Sequence, residues 1–173
     1  MSIRILLADE NQNARLGLRA LLEKEPDLEV VAEATSGQTA FRLAKEMTPD
    51  LVIMDLAMQD LNGFDIIPKI LAASPGIKVL ALSIFADRRF VVKVLKNGAS
   101  GYLLKDCAFE ELAGAIRDIA INRTYISPGL SSIIVQDYME ALREGEERFR
   151  TIFEGSSIGI ALVDRGTIYS NFP

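Results

Sequence analysis

Short apolar runs recur along the chain at Ile3 to Ala8, Leu28 to Ala34, Leu51 to Met54, Lys78 to Ser83 and Gly101 to Leu104, each bounded by polar or turn residues. Their length suits strands. Between them the apolar positions fall three and four residues apart: Ala14, Leu18, Leu21 and Leu22, then Ala40, Leu43, Ala44 and Met47, then Ile66, Ile67, Ile70 and Leu71. That spacing is one face of a helix. Two further helices are predicted at Arg88 to Lys96, stopped by Asn97-Gly98, and at Phe109 to Ile121, with Leu112, Ile116, Ile119 and Ala120 on one side. The alternation is (βα)5. Runs one, three and four are almost wholly apolar, as strands are when crossover helices cover both faces of a parallel sheet. The expected fold is α/β, a doubly wound, five-stranded parallel sheet.

After Asn122 the alternation stops, and Ser127-Pro128 signals a new helix, with a capping residue followed by proline at the first helical position. Its pattern runs to about Glu154. Ile134, Tyr138, Ala141 or Leu142, Gly145, Phe149 and Ile152 recur close to the 3.5-residue spacing of a coiled coil, with Gly145 weakening the seam. The plainer reading is a helix packed on its own domain. From Ile158 onward the chain reads as a hairpin: Ile158, Ile160 and Leu162 alternate, Asp164-Arg165-Gly166 turns, and Thr167-Ile168-Tyr169 returns.

Composition narrows the chemistry. With 173 residues the chain can hold one compact unit and an appendage. It has no histidine, which excludes an imidazole base, a histidine zinc ligand and a phosphohistidine of its own. The one cysteine, Cys107, cannot close an internal disulfide, so a cytoplasmic location is expected. A net charge of -5 without a basic stripe argues against direct nucleic-acid binding by these residues. The run Ile5 to Ala8, flanked by Arg4 and Asp9, is too short for a signal core or a membrane span.

In an open α/β sheet, ligands bind beyond the C-terminal strand ends, where the strand order reverses. Here strand one ends at Asp9-Glu10, strand three at Asp55, strand four at Ser83 and strand five at Lys105-Asp106. Any one of these is ordinary loop chemistry; together they are not. Three carboxylates brought to one mouth repel unless a hard cation sits among them, and Mg2+ prefers oxygen ligands. Lys105 would balance charge and Ser83 would offer a hydroxyl. Such a setting can neutralise charge developing on a transferred phosphoryl group, which makes Asp55 a candidate acceptor.

The strings ILLADE (5–10), PDLVIMDLAM (49–58), NGFD (62–65) and GASGYLLKD (98–106) closely resemble the receiver domain of response regulators, above all the NarL type. The resemblance spans residues 1–123 and implies a flavodoxin-like (βα)5 receiver of two-component signalling, a phosphoacceptor with no enzymatic turnover of its own. It further implies that Asp55 takes a phosphoryl group from a phosphohistidine on a histidine kinase or a histidine phosphotransfer protein. Glu10, Asp55 and the main-chain carbonyl of Ala57 would ligate Mg2+, with Asp9 helping through water, and Lys105 would contact the phosphoryl group. Ser83 and Tyr102 would be the switch, reporting to the face of helix four, strand five and helix five. Three positions depart from the pattern, and the first is Glu10, a carboxylate one methylene longer than the commoner aspartate that should still ligate Mg2+. Gln59 stands where the family usually has proline, and Ile84 brings a bulky side chain beside the switch hydroxyl, which would slow the attack of water on the phosphoryl group. Cys107 is expected to pack as a small hydrophobe.

Where a NarL-type regulator continues into a DNA-binding domain, this sequence differs. The string GEERFRTIFEGSSIGIALVDRGTIYSN (145–171) resembles the opening helix and strands of a PAS sensory domain. The expected organisation is a receiver at 1–123, a linker or signalling helix at 124–154 and the start of a PAS domain, broken off, at 155–173. An output would then be controlled through that module. Two alternatives belong to other classes: a module whose phosphorylation governs homodimerisation, and a small α/β enzyme using the same mouth on a phosphorylated substrate, although no glycine-rich phosphate loop is present.

Overall fold

In the computed structural model, residues 1–59 and 64–144 are described in full, together with the backbone of 63, 161–164 and 167–170. Five βα units follow one another: β1 (Ile3–Ala8), α1 (Gln12–Leu22), β2 (Leu28–Ala34), α2 (Gly37–Met47), β3 (Leu51–Asp55), α3 (Gly63–Ala73), β4 (Lys78–Ser83), α4 (Arg88–Lys96), β5 (Gly101–Leu104) and α5 (Phe109–Ala120). Polar side chains start three of the helices. Asn11, Ser36 and Asp87 accept from the main-chain amides of Ala14, Thr39 and Arg89, satisfying donors that a helix start leaves open. The Asn97-Gly98 stop works as expected, with Gly98 at a φ of 97°.

The strands form one parallel sheet in the order β2-β1-β3-β4-β5-β6, where β6 is Tyr125–Ile126. The fold class is the α/β receiver type expected, but the sheet has six strands and not five. The sixth is two residues long, too short to leave an alternation. It pairs with Gly101 and Tyr102 of β5. Strand periodicity divides the core into two. Leu6, Val52, Met54, Val79, Ala81 and Tyr102 face one layer; Ile5, Leu7, Leu51, Ile53, Leu80, Leu82 and Leu103 face the other, against Leu22 of α1 and Leu112, Ile116 and Ile119 of α5.

Ser127-Pro128 does not open the long helix directly. Pro128–Leu130 forms a 3-10 turn, and α6 occupies Ser131–Glu144. The Ser127 hydroxyl is drawn away from capping because β6 sets it beside β5, where it accepts the Leu104 amide at 3.0 Å. Ile134, Tyr138 and Ala141 of α6 are buried in the same layer as α4 residues Val91, Val94 and Leu95, so this part of the seam packs on its own domain. Arg88 of α4 ties the pair together, bonding Asp137 at 2.7 Å and also Glu140. The predicted continuation over 145–154, with Gly145, Phe149 and Ile152, lies outside the described residues. Within the tail, β7 (Ala161–Asp164) and β8 (Thr167–Ser170) pair antiparallel, Asp164 opposite Thr167, which agrees with the expected hairpin around Arg165-Gly166. Among the described residues no helix is long and apolar enough to cross a membrane.

Candidate phosphoryl-transfer site

The strand order places β1 between β2 and β3, so successive connections depart to opposite sides at the gap between β1 and β3. Asp55 is the last residue of β3, and Asp9 directly follows β1. Both are buried, at 4% and 7% exposure, although they are ionisable. Lys105, just past β5, explains how the fold tolerates them. Its Nζ lies 2.7 Å from Asp55 Oδ2 and 3.1 Å from Asp9 Oδ2. Burial alone would lower the Lys105 pKa, but the bonds and charges of Asp55 and Asp9 outweigh it and hold the ammonium above its ordinary value. The remaining carboxylate oxygens meet amides: Ala57 N donates to Asp55 Oδ1 at 3.0 Å and Asn11 N to Asp9 Oδ1 at 2.8 Å.

Glu10 stands apart from this cluster. It is exposed, and its carboxylate accepts the Gln59 amide at 3.3 Å. A proline at 59 would have no N–H to give, so the departure noted in the sequence supplies a tie between the loop after β1 and the loop after β3. Ala57 lies in that second loop, between buried Leu56 and Met58. Among the described residues no three acids form a ready metal cluster. The donor set nonetheless fits a hard cation: Asp9 and Asp55 already share one positive group, and Glu10 adds a carboxylate that, among the described residues, is held by a single long bond. Asp106 is exposed and joins none of these contacts.

Ser83, the last residue of β4, is buried at 2% exposure, and its hydroxyl accepts the Phe85 amide at 3.0 Å. Tyr102 is fully buried in β5 and donates its hydroxyl to the Phe85 carbonyl at 2.6 Å. Burial raises its pKa, a hydrogen bond with Ser83 opposes this, and the charge of Asp87 adds to the rise. The main chain of Phe85 therefore joins the two expected switch residues. No sequence signal marks it, because every residue type but proline supplies that N–H and C=O. Ile84 between them is 69% exposed, at the rim. Burial, then Glu111 and Asp106, push the Cys107 thiol up to about 11, which suits a small packed group and not a nucleophile. A second residue that sequence reading passed over is Arg15, which bonds both the Asp9 carbonyl and Glu33. Its signal was an acid, Glu33, inside the apolar run of strand two.

The geometry agrees with comparison to known proteins. The family model for the response regulator receiver domain matches residues 5–117. The transcriptional regulatory protein DegU of Brevibacillus brevis is 35% identical over 162 residues, covering 94% of this chain and 66% of that protein. LiaR of Bacillus subtilis strain 168, also named a transcriptional regulatory protein, is 37% identical over 145 residues, covering 84% and 67%. The chain thus spans about two thirds of these relatives' own length. Among solved structures, a two-component response regulator of the LuxR family from Aurantimonas sp. SI85-9A1 superposes with a TM-score of 0.76 at 33% identity, over 80% of this chain and 99% of that one. The receiver domain of the putative regulator NarL from Mycobacterium tuberculosis does so with a TM-score of 0.68 at 29% identity, over 70% and 98%. This chain belongs to the response regulator receiver family and carries the receiver domain of a two-component regulator.

Proposed function

We propose that Asp55 is the phosphoacceptor of this receiver, charged by a phosphohistidine on a histidine kinase or phosphotransfer protein. The observation that carries this is the buried Asp55 carboxylate at the switch point, held at 2.7 Å by the Lys105 ammonium beside Asp9. In the transfer an Asp55 oxygen bonds the phosphorus as the phosphorus–nitrogen bond to the donor imidazole breaks. These 173 residues hold no histidine, so the phosphohistidine lies outside them. Asp9, Glu10, Asp55 and the Ala57 carbonyl would hold Mg2+, which when bound offsets charge on the phosphoryl oxygens. Lys105 meets a further oxygen, and Ser83 turns its hydroxyl toward the group.

Turning the Ser83 side chain disturbs the bond it accepts from the Phe85 amide. Phe85 also holds Tyr102, and the same loop runs through Asp87 into Arg88, which grips α6. The switch thus leads from Asp55 by way of Ser83, Phe85 and Tyr102 to α4 and on to α6, which lies beside the face first expected to carry it. In this reading the chain acts in the cytoplasm as a non-enzymatic signalling module, organised as 1–123, 124–154 and 155–173. The tail string supports a PAS-linked output. The relatives named transcriptional regulators favour a second reading, an output that controls transcription.

The test is labelling by a small-molecule phosphoryl donor. A single phosphoryl group that requires Mg2+ and is released by hydroxylamine, as an acyl phosphate is, supports the reading. Labelling that persists without Mg2+ or resists hydroxylamine contradicts it.

A further inference from the structure

Arg15 of α1 makes two bonds with one guanidinium: Nη1 donates to the main-chain oxygen of Asp9 at 2.8 Å, and Nε pairs with Glu33 of β2 at 2.8 Å. Its side chain is 11% exposed. The Asp9 carbonyl belongs to the planar peptide unit that joins Asp9 to Glu10, so fixing that oxygen fixes the direction in which the chain leaves Asp9 toward Glu10. The Asp9 carboxylate is already held by Lys105 and the Asn11 amide. Glu10 is differently placed, exposed and, among the described residues, with one 3.3 Å bond to the Gln59 amide. As a glutamate it also has one more rotatable bond than an aspartate, and an ordered ligand loses that freedom on binding. What orients Glu10 is mainly its backbone, and Arg15 holds that backbone.

We infer that Arg15 is a positioning residue for the divalent cation: by clamping the Asp9–Glu10 peptide to Glu33 of β2, it presents Glu10 to Mg2+. The inference rests on the metal-assisted reading of the site above. Groups that orient metal ligands without touching the metal typically govern about ten- to hundredfold in affinity.

The fold supplies its own control. Arg19 pairs with the same Glu33, but its second partner is Glu23, the exposed residue that ends α1. It shares the anchor without reaching the site. A purely structural role for this cluster would make the two arginines behave alike.

The experiment is a Mg2+ titration of the 173-residue chain, without phosphoryl donor, followed by amide NMR shifts in wild type, Arg15→Ala, Arg15→Lys and Arg19→Ala, with melting temperatures alongside. Arg15→Ala is expected to raise the Mg2+ dissociation constant about tenfold. Arg15→Lys, whose single ammonium cannot reproduce the fork, should raise it severalfold and carries the test if the alanine variant does not fold. Arg19→Ala should leave it within twofold, whatever happens to its melting temperature. Unchanged Mg2+ affinity in the Arg15 variants, or an equal loss in Arg19→Ala, overturns the inference while leaving the site reading intact. A wild type that binds no Mg2+ overturns the site reading and this inference with it.

Discussion

Removing the Lys105 ammonium leaves two buried carboxylates, Asp9 and Asp55, without the cation they share. Breaking such a pair from one side exposes the full desolvation of what remains. Lys105→Ala should therefore lose about 2 kcal/mol in metal-free buffer at neutral pH, part of it recovered by Mg2+, as read by thermal unfolding. In wild type the folded Lys105 pKa lies above the ordinary 10.5, so its contribution is complete below that value and is lost as pH rises through the folded one. The Lys105→Ala variant should lack that alkaline loss. At the rim, Ile84→Ala should shorten the half-life of the phosphoryl group by admitting water, measured as decay of the adduct after donor removal; an equal or longer half-life contradicts a shielding role. Asp9, Asp55, Ser83 and Lys105 were legible because chemistry-bearing side chains at strand ends stand out against apolar runs. Phe85 and Arg15 were not: one acts through its main chain, and the other looks like any polar residue on a helix.

At the scale of elements, the edge of the sheet is the part that sequence could not show. A two-residue strand has no period, and β6 exists because Gly101 lets it approach. A Cβ at 101 would stand 2.8 Å from the Tyr125 carbonyl oxygen and 2.9 Å from Ile119 and Leu80 side-chain carbons. The carbonyl is main chain and cannot rotate aside. Gly101→Ala should thus destabilise by about 2 kcal/mol in denaturant unfolding and speed amide exchange in β6. The five longer strands and their helices were legible because each strand is an apolar run between polar residues and each helix repeats its spacing over more than two turns. The α6 boundary was not, since Ser127 bonds β5 in place of capping a helix. Once α6 is docked, Arg88 holds it through Asp137 and Glu140. In Arg88→Ala the amides of 131–144 should exchange faster while those of α5 stay protected; equal protection of α6 would show that apolar burial alone holds it.

For the whole molecule, the parallel sheet does two jobs with one topology. Its two faces bury separate apolar layers, and its strand ends bring Asp9, Asp55, Ser83 and Lys105, spread across 97 positions of sequence, to one mouth. From there the loop after β4 runs into α4, which Arg88 ties to α6. All of this depends on Asp55 taking the phosphoryl group. The most direct measurement is intact mass followed by peptide-level localisation, after incubation with Mg2+ and a small-molecule phosphoryl donor, for wild type and Asp55→Asn side by side. One phosphoryl adduct confined to the peptide containing Asp55, and absent from Asp55→Asn, is the predicted result. An adduct of equal yield in Asp55→Asn, or none in wild type under conditions that label another receiver, would contradict it.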